Sequence, residues 1–332
     1  MNLSKLVPGS IVLVLLSVVV ATVSSAQSAN GAPTPAPPSP AALNPLKVAL
    51  LHWYQANETA SFSVGSQPYG LAFDGANIWT ANYGANTVTK LRASDGEVLG
   101  TFNVGHGPVG VTFDGANMWV SNSFDGTVTK LRASDGTAVG TFAVGTTPWW
   151  MAFDGAHLWV PDGVGAVTKM RVSDGKALGT FTVGNSPIAV AFDGSNVWVT
   201  NYGDGTVTKL RASDGTVLGT FSMGQTFANP LGIAFDGSNI WIANRGLGTV
   251  TKLRASDGAT LGTFNVGFAG YGVAFDGTNI WVGGAPLVDE LRASDGKILN
   301  VFDIPKTNAA GVAFDGANIW IAGTDTNKAY KF

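Results

Sequence analysis

The chain has 332 residues and a formal net charge of −3, and 12% of its residues are charged. Nucleic-acid and membrane-surface partners require a concentrated basic patch, so this composition indicates neither. The absence of cysteine excludes disulfides, thiolate metal sites and cysteine nucleophiles.

The first 26 residues have the pattern of a secretory signal peptide. Lys5 precedes the apolar runs 11–16 and 18–23, and small residues then lead to Ala26. A short positive start, an apolar run and small residues before a cleavage point are typical of an export signal. The alternative is an uncleaved membrane anchor, although the run is shorter than the ~20 residues of a spanning helix. We expect cleavage after Ala26 and a periplasmic or extracellular mature chain that is not inserted in a membrane.

Residues 27–48 contain six prolines among Ala, Ser and Asn. Such a segment cannot bury enough apolar surface to order itself, so the composition predicts an extended linker. The predicted organisation is therefore a signal peptide at 1–26, a linker at 27–48 and a repeat domain at 49–332.

From about residue 66 onwards the chain repeats a unit of about 40 residues. This repeat outweighs the division into two domains that the length alone would suggest. The first half of the unit carries an FDG triplet and a Trp five residues after the Asp. The seven pairs are Asp74 and Trp79, Asp114 and Trp119, Asp154 and Trp159, Asp193 and Trp198, Asp236 and Trp241, Asp276 and Trp281, and Asp315 and Trp320. The second half carries LRASDG or a near copy and occurs six times, starting at Leu91, Leu131, Met170, Leu210, Leu253 and Leu291.

One copy shows the strand content of the unit. Runs rich in Val, Thr, Ile, Phe and Trp predict strands at 187–192, 197–200, 206–211 and 217–223. The short connections contain Asp-Gly, which supplies the positive φ of hairpin turns, and force antiparallel neighbours. Four strands per 40-residue repeat are typical of a propeller blade. The predicted fold class is all-β, a seven-bladed β-propeller of four-stranded antiparallel blades.

The mismatch between seven first halves and six second halves predicts how the ring closes. The last copy ends at residue 332 in its third strand, and residues 59–65 match the fourth strand at 100–105. We therefore expect the N-terminal strand to complete the last blade.

Trp198-Val199-Thr200-Asn201, followed by YGDGTV and TVLGTFSMG, resembles a YVTN-type β-propeller repeat. That family contains bacterial exported or surface proteins and is akin to seven-bladed families with NHL-like and streptogramin-lyase-like repeats. The resemblance covers residues 59–332 and implies the fold. It does not imply one activity, because propellers host many unrelated functions.

The lyase motif of the related propellers is missing. Those enzymes use a Glu-x-His pair and a second His around a metal, whereas Glu58, Glu97 and Glu290 are followed two residues later by Ala60, Leu99 and Arg292. The three histidines, His52, His106 and His157, also lack metal-ligand spacing. We therefore expect no metal and no cofactor, and no lyase activity through this motif.

Features copied into every blade indicate scaffold. We expect the seven tryptophans to pack between blades and the FDG and SDG aspartates to form turns, some pairing with the repeated arginines. The FDG and SDG turns should share one face of the disc, so the two variable connections should share the other. Candidate ligand-binding residues at the channel mouth on that face are Tyr83, His106, Phe124, Trp149, Trp150, Tyr202, Phe227, Arg245, Phe268 and Tyr271.

Aromatic and scattered polar groups around a pocket mouth are typical of ligand binding. The sequence favours an exported, monomeric, non-catalytic binding or scaffold propeller that recognises a peptide, protein or glycan on its variable face. Two alternatives stay open: a lyase- or hydrolase-type enzyme acting at the channel mouth without a recognisable motif, and a structural spacer. Clustered acids and histidines would favour the enzyme, an aromatic rim would favour binding, and a plugged channel would favour the spacer.

Overall fold

The repeated units fold into seven separate sheets arranged as a propeller. A computed structural model describes residues 60–304 and 306–332, in which 28 strands and one 3₁₀ helix are present. The predicted signal peptide at 1–26, the linker at 27–48 and residues 49–59 lie outside the described part of the chain. Over the residues that are described, no helix is long and apolar enough to cross a membrane.

Each blade is one four-stranded sheet, with strands numbered in chain order. Blade 1 consists of β2 (Pro68–Phe73), β3 (Asn77–Asn82), β4 (Thr87–Arg92) and β5 (Val98–Asn103), and blade 2 of β6 (Pro108–Phe113), β7 (Asn117–Asn122), β8 (Thr127–Arg132) and β9 (Ala138–Ala143). Blade 3 consists of β10 (Ala152–Phe153), β11 (His157–Pro161), β12 (Ala166–Arg171) and β13 (Ala177–Thr182), and blade 4 of β14 (Pro187–Phe192), β15 (Asn196–Asn201), β16 (Thr206–Arg211) and β17 (Val217–Ser222).

The remaining blades follow the same plan, apart from the origin of the last strand. Blade 5 consists of β18 (Pro230–Phe235), β19 (Asn239–Asn244), β20 (Thr249–Arg254) and β21 (Thr260–Asn265), and blade 6 of β22 (Val273–Phe275), β23 (Asn279–Gly283), β24 (Leu287–Arg292) and β25 (Ile298–Asp303). Blade 7 consists of β26 (Ala309–Phe314), β27 (Ile319–Gly323), β28 (Lys328–Lys331) and β1 (Ala60–Ser63). The 3₁₀ helix η1 spans Thr226–Ala228, between blades 4 and 5.

The strand pairing confirms the predicted meander. All neighbours in blade 4 are antiparallel, and Trp198 of β15 faces Lys209 of β16. The strand β15 is one residue longer at each end than predicted, and β17 ends one residue earlier. In such a meander the first and third connections share one end of the sheet. The FDG and SDG turns therefore lie on one face of the disc and the variable connections on the other.

The predicted ring closure is confirmed. The N-terminal strand β1 pairs antiparallel with β28, with Phe62 opposite Ala329. The Phe62 ring lies 5.5 Å from that of Trp320 and also fills the space that a Cβ at Gly96 of blade 1 would need. One strand thus completes blade 7 and packs against blade 1.

Each FDG aspartate accepts a hydrogen bond of 2.7–2.8 Å from the indole of the Trp five residues later. In blade 2, Asp114 accepts from Trp119 and from the backbone N–H groups of Ala116 and Asn117. Burial tends to raise the pKa of Asp114, but these hydrogen bonds outweigh burial and hold the pKa below its ordinary value. The tryptophans are buried, so they and the aspartates are scaffold, as predicted.

A buried lysine connects most blades to the next, which the sequence analysis did not anticipate. Lys90 Nζ lies 5.1 Å from the centroid of the Trp79 ring and donates a hydrogen bond of 2.7 Å to the Ala133 carbonyl of blade 2. The same contacts occur at the buried Lys130, Lys169, Lys209 and Lys252 and at the half-buried Lys331. A carbonyl and a π face together offset the cost of burying an ammonium group.

Blade 6 departs from this pattern. Glu290 stands at the lysine position, and Asp289 stands where five other blades have Thr. The Asp289 side chain is buried, and its Oδ1 atom has no hydrogen-bond partner among the described residues. Burial raises the pKa of Asp289 to about 6.

Deleting residues 49–65 should produce aggregation or a large loss of thermal stability. The deletion removes β1 and leaves β28 as an exposed edge, which is a template for pairing with other chains. Thermal unfolding and size-exclusion chromatography would measure the effect. Deletion of 27–48 is the control and should change neither. A soluble 49–65 deletion with an unchanged Tm would contradict closure by this strand.

Replacing Asp114 by Ala should destabilise the protein by about 1–3 kcal/mol, because the buried indole N–H of Trp119 loses its acceptor. Urea unfolding at pH 7 would measure the loss. The matched control is Asp135→Ala, since Asp135 is an exposed turn aspartate that pairs with Arg132. We expect a smaller loss there, and equal losses in the two variants would contradict the scaffold role of the indole bond.

Replacing Asp289 by Thr, the residue found in other blades, should stabilise the protein at pH 8 but not at pH 4. The pKa of Asp289 is about 6 in the folded chain, against about 3.9 in an unfolded chain. Its charge therefore costs nothing below pH 4 and about 2–3 kcal/mol above pH 6. Urea unfolding at both pH values measures the difference. The exposed Asp303 provides the control variant Asp303→Thr, and an equal gain at the two pH values would contradict the assignment.

Candidate ligand-binding site

A cavity of about 280 Å³ lies on the variable face, around the mouth of the central channel. Its lining is mostly aromatic and aliphatic, with one arginine. The lining residues are Tyr69, Trp149, Trp150, Ile188, Tyr202, Leu231, Arg245 and Tyr271. A narrower cavity of about 100 Å³ lies among the inner strands, and Trp150 borders both.

Two positions of the repeat supply most of the lining. The first position directly follows a proline near the start of an inner strand and carries Tyr69, Trp149, Ile188 and Leu231, and Tyr271 is its equivalent in blade 6. The second position follows the Asn that ends β15 and β19 and carries Tyr202 and Arg245. Neighbouring blades present these positions side by side, so the ring geometry brings the side chains together.

Trp150 occupies a position where five blades have glycine. In blade 2 a Cβ at Gly110 would lie 2.7 Å from the Trp149 carbonyl oxygen, so glycine permits close packing of neighbouring inner strands. At Trp150, just before β10, the backbone of blade 3 pairs in parallel with the inner strand of blade 4. Its N–H donates to the Ile188 carbonyl at 3.0 Å, and its carbonyl accepts from the Val190 N–H at 3.1 Å. This backbone pairing fixes Trp150 at the cavity wall.

Arg245 forms the polar centre of the cavity. Its Nη1 donates to the Tyr202 hydroxyl at 3.0 Å, and its Nη2 donates to the Tyr271 hydroxyl at 3.2 Å. Its Cζ lies 5.0 Å from the centroid of the Tyr271 ring. Burial works to lower the pKa of Arg245, but these contacts with Tyr271 and Tyr202 outweigh burial and raise it. The guanidinium therefore remains charged.

Tyr69 faces the same cavity from the other side. Burial is the main cause that raises the pKa of Tyr69, and the nearby Tyr271 and Tyr83 side chains raise it further. Tyr69 is thus a neutral phenol that can donate a hydrogen bond at physiological pH. Its ring lies 5.4 Å from that of Tyr83, which lies 5.3 Å from that of Phe124. A row of aromatic rings extends from the cavity to the rim.

The loop with the insertion between blades 4 and 5 ends at Asn229, which contacts two cavity segments. Asn229, which follows η1 with left-handed backbone angles, donates through its side chain to the Tyr202 carbonyl at 3.1 Å. Its own carbonyl accepts from the Arg245 N–H at 3.2 Å. The equivalent backbone bond also occurs in blades 1, 2, 4 and 7, so only the side-chain bond of Asn229 to Tyr202 is particular to this loop. The extra residues around Phe227 do not line the cavity themselves.

The structure brings together five of the ten candidate residues, Trp149, Trp150, Tyr202, Arg245 and Tyr271. Tyr83 and Phe124 lie in the aromatic row beside the cavity. His106 and Phe227 are exposed on their own loops, and His106 Nδ1 lies 2.9 Å from Asp125 Oδ1. Phe268 does not reach the mouth. It is 7% exposed and packs in the core with Trp241, because Gly284 in blade 6 leaves the space that it fills.

Sequence reasoning missed Tyr69, Ile188 and Leu231. All three share a repeat position with Trp149, so reading each repeat position across the blades would have found them. None of the described cavity residues is an acid, a histidine or a lysine. Within 60–304 and 306–332, no group of three or more His, Asp or Glu side chains could hold a metal ion.

No family model matches this chain, and no curated protein matches it in sequence. Solved structures match it closely in fold. Hydrazine synthase of Kuenenia stuttgartiensis superposes with a TM-score of 0.72 at 16% identity, covering 80% of this chain and 95% of the other. Catalytically inactive virginiamycin B lyase of Staphylococcus aureus with quinupristin gives 0.71 at 18% identity, covering 82% and 98%. A streptogramin B lyase gives 0.71 at 16% identity, covering 82% and 96%. At these identities the likeness establishes the seven-bladed fold alone.

Proposed function

We propose that this chain is an exported, monomeric, non-catalytic binding propeller of the YVTN-repeat type. Its variable face recognises a peptide, protein or glycan by taking one side chain or end group into the cavity. The observation that carries the proposal is the lining, which combines aromatic surfaces with a few polar donors, as ligand pockets do.

The arrangement of aromatic residues supports a ligand larger than the cavity. The rings of Tyr69, Tyr83 and Phe124 continue from the cavity towards the rim at centroid spacings of 5.3–5.4 Å. The Phe124 side chain is 69% exposed and is available to a chain that leaves the cavity. Such rings supply contact area at low conformational cost to peptides and sugars alike.

The lining chemistry favours binding over the lyase or hydrolase alternative. General acid–base work draws mainly on carboxylates, imidazoles or lysines near their pKa values. The described cavity residues offer phenols, indoles and one guanidinium. The open cavity also favours binding over a structural spacer.

Export is part of the same proposal and rests on the N-terminal pattern ending at Ala26. The likeness to the lyases extends only to the fold, so their ligands give no argument for the ligand of this chain.

The double variant Trp149→Ala, Tyr202→Ala should abolish ligand binding and leave Tm nearly unchanged, because both side chains line the cavity outside the blade cores. Neutral 3-phenylpropionamide and methyl β-glucoside are suitable aromatic and sugar probes for saturation-transfer NMR. The matched control is Phe227→Ala with His106→Ala, which removes exposed side chains outside the cavity and the aromatic row and should leave binding unchanged. Binding of a probe that is retained in the cavity double variant would contradict the proposal.

A further inference from the structure

Arg245 carries a positive charge that no carboxylate in the described part of the chain neutralises. The other six arginines each pair with a turn aspartate at N–O distances of 2.7–3.1 Å. Arg245 has no such pair within 4.0 Å among residues 60–304 and 306–332, and it is half-buried. Burying a charge without an opposite charge is costly, so the site is prepared to accept an anion.

The hydrogen-bonding capacity of the site is also unfilled. The Arg245 Nε atom is buried and has no acceptor among the described residues. The hydroxyl groups of Tyr202 and Tyr271 accept bonds from the guanidinium, which leaves their own O–H protons free to donate. The cluster therefore presents several donors without an acidic acceptor, as a carboxylate ligand requires.

The rest of the cavity lining determines which chemical group fits beside the carboxylate. The rings of Trp149 and Trp150 lie 6.2 Å apart and nearly perpendicular, and Ile188 and Leu231 add aliphatic surface. These side chains cannot satisfy polar groups on the ligand, apart from the indole N–H donors. An apolar or aromatic group fits beside the arginine, and a sugar ring with many hydroxyls fits less well.

We infer that the cavity binds a carboxylate attached to an apolar group, with the carboxylate on the Arg245–Tyr202–Tyr271 cluster and the apolar group against Trp149 and Trp150. This rests on the proposed function and names its ligand class. The same chemistry is offered by a small aromatic acid and by the C-terminus of a peptide that ends in an apolar residue.

Matched acids and amides test the inference on the native full-length chain. The small probes are 3-phenylpropionate and 3-phenylpropionamide, and the peptide probes are Ala-Ala-Phe with a free or an amidated C-terminus. Isothermal titration calorimetry should give a Kd at least tenfold lower for each acid than for its amide, because charge-assisted bonds are the strong ones. If only the peptide pair shows a preference for the acid, the natural ligand is a peptide C-terminus. If only the small-probe pair shows it, the natural ligand is a small free acid.

Variants separate charge recognition from structural support. Arg245→Met should remove the acid preference, and Arg245→Lys should retain a weaker one. The control Arg254→Met removes an exposed arginine on the opposite face and should leave the preference unchanged. Thermal unfolding establishes that each variant is folded, and the comparison of acid with amide on the native chain needs no variant.

Two outcomes distinguish failure of the inference from failure of the proposed function. If acid and amide bind native protein equally, and the Trp149→Ala, Tyr202→Ala variant binds neither, the anion site is wrong and the binding function stands. If no probe binds native protein at millimolar concentration, both are wrong. An acid preference that persists in Arg245→Met would also overturn the inference.

Discussion

The hydrogen bond from each repeated indole to the aspartate five residues earlier is the contact on which the blades depend. It spans the FDG turn and fixes the ring plane of the Trp within the second strand, as between Trp119 and Asp114. That ring then supports the ammonium group of the facing lysine, here Lys130, whose other partner is the Val172 carbonyl of the next blade. A turn within one blade is therefore coupled, through a buried charge, to the position of its neighbour.

This coupling explains why only one face of the disc can vary. The indole bonds, the lysine bridges and the Arg–Asp pairs of the SDG turns lie in the sheets or at one set of strand ends. The connections at the opposite ends carry none of these repeated bonds. The loop after β17 can thus accept three extra residues, and Asn229 within it supports Tyr202 and Arg245 without disturbing a blade. A rigid ring with one free set of loops is a suitable scaffold for a binding site.

The fold could be predicted from the sequence because its determinants are local and repeated. The FDG triplet, the Trp and the SDG block locate the turns and strands of each blade, and the missing last strand locates the closure at Phe62. The candidate site was predicted only in part, since its composition depends on contacts between copies. Tyr69 looks like an ordinary strand residue until the ring places it beside Tyr271. Phe268 looks like a mouth residue until Gly284 in its own blade leaves room for it in the core.

Several departures from the repeat lie in or beside the cavity, whereas Asp289 and Glu290 of blade 6 lie away from it. Trp150 and Ala189 replace glycine in blades 3 and 4, the insertion around Phe227 separates blades 4 and 5, and Arg245 belongs to blade 5. Scaffold requirements are the same in every blade, so they would favour the repeated residue at each of these positions. Independent drift would distribute departures without regard to position in space. We propose that the departures that meet at this cavity share one cause, a ligand whose negative charge pairs with the uncompensated guanidinium of Arg245.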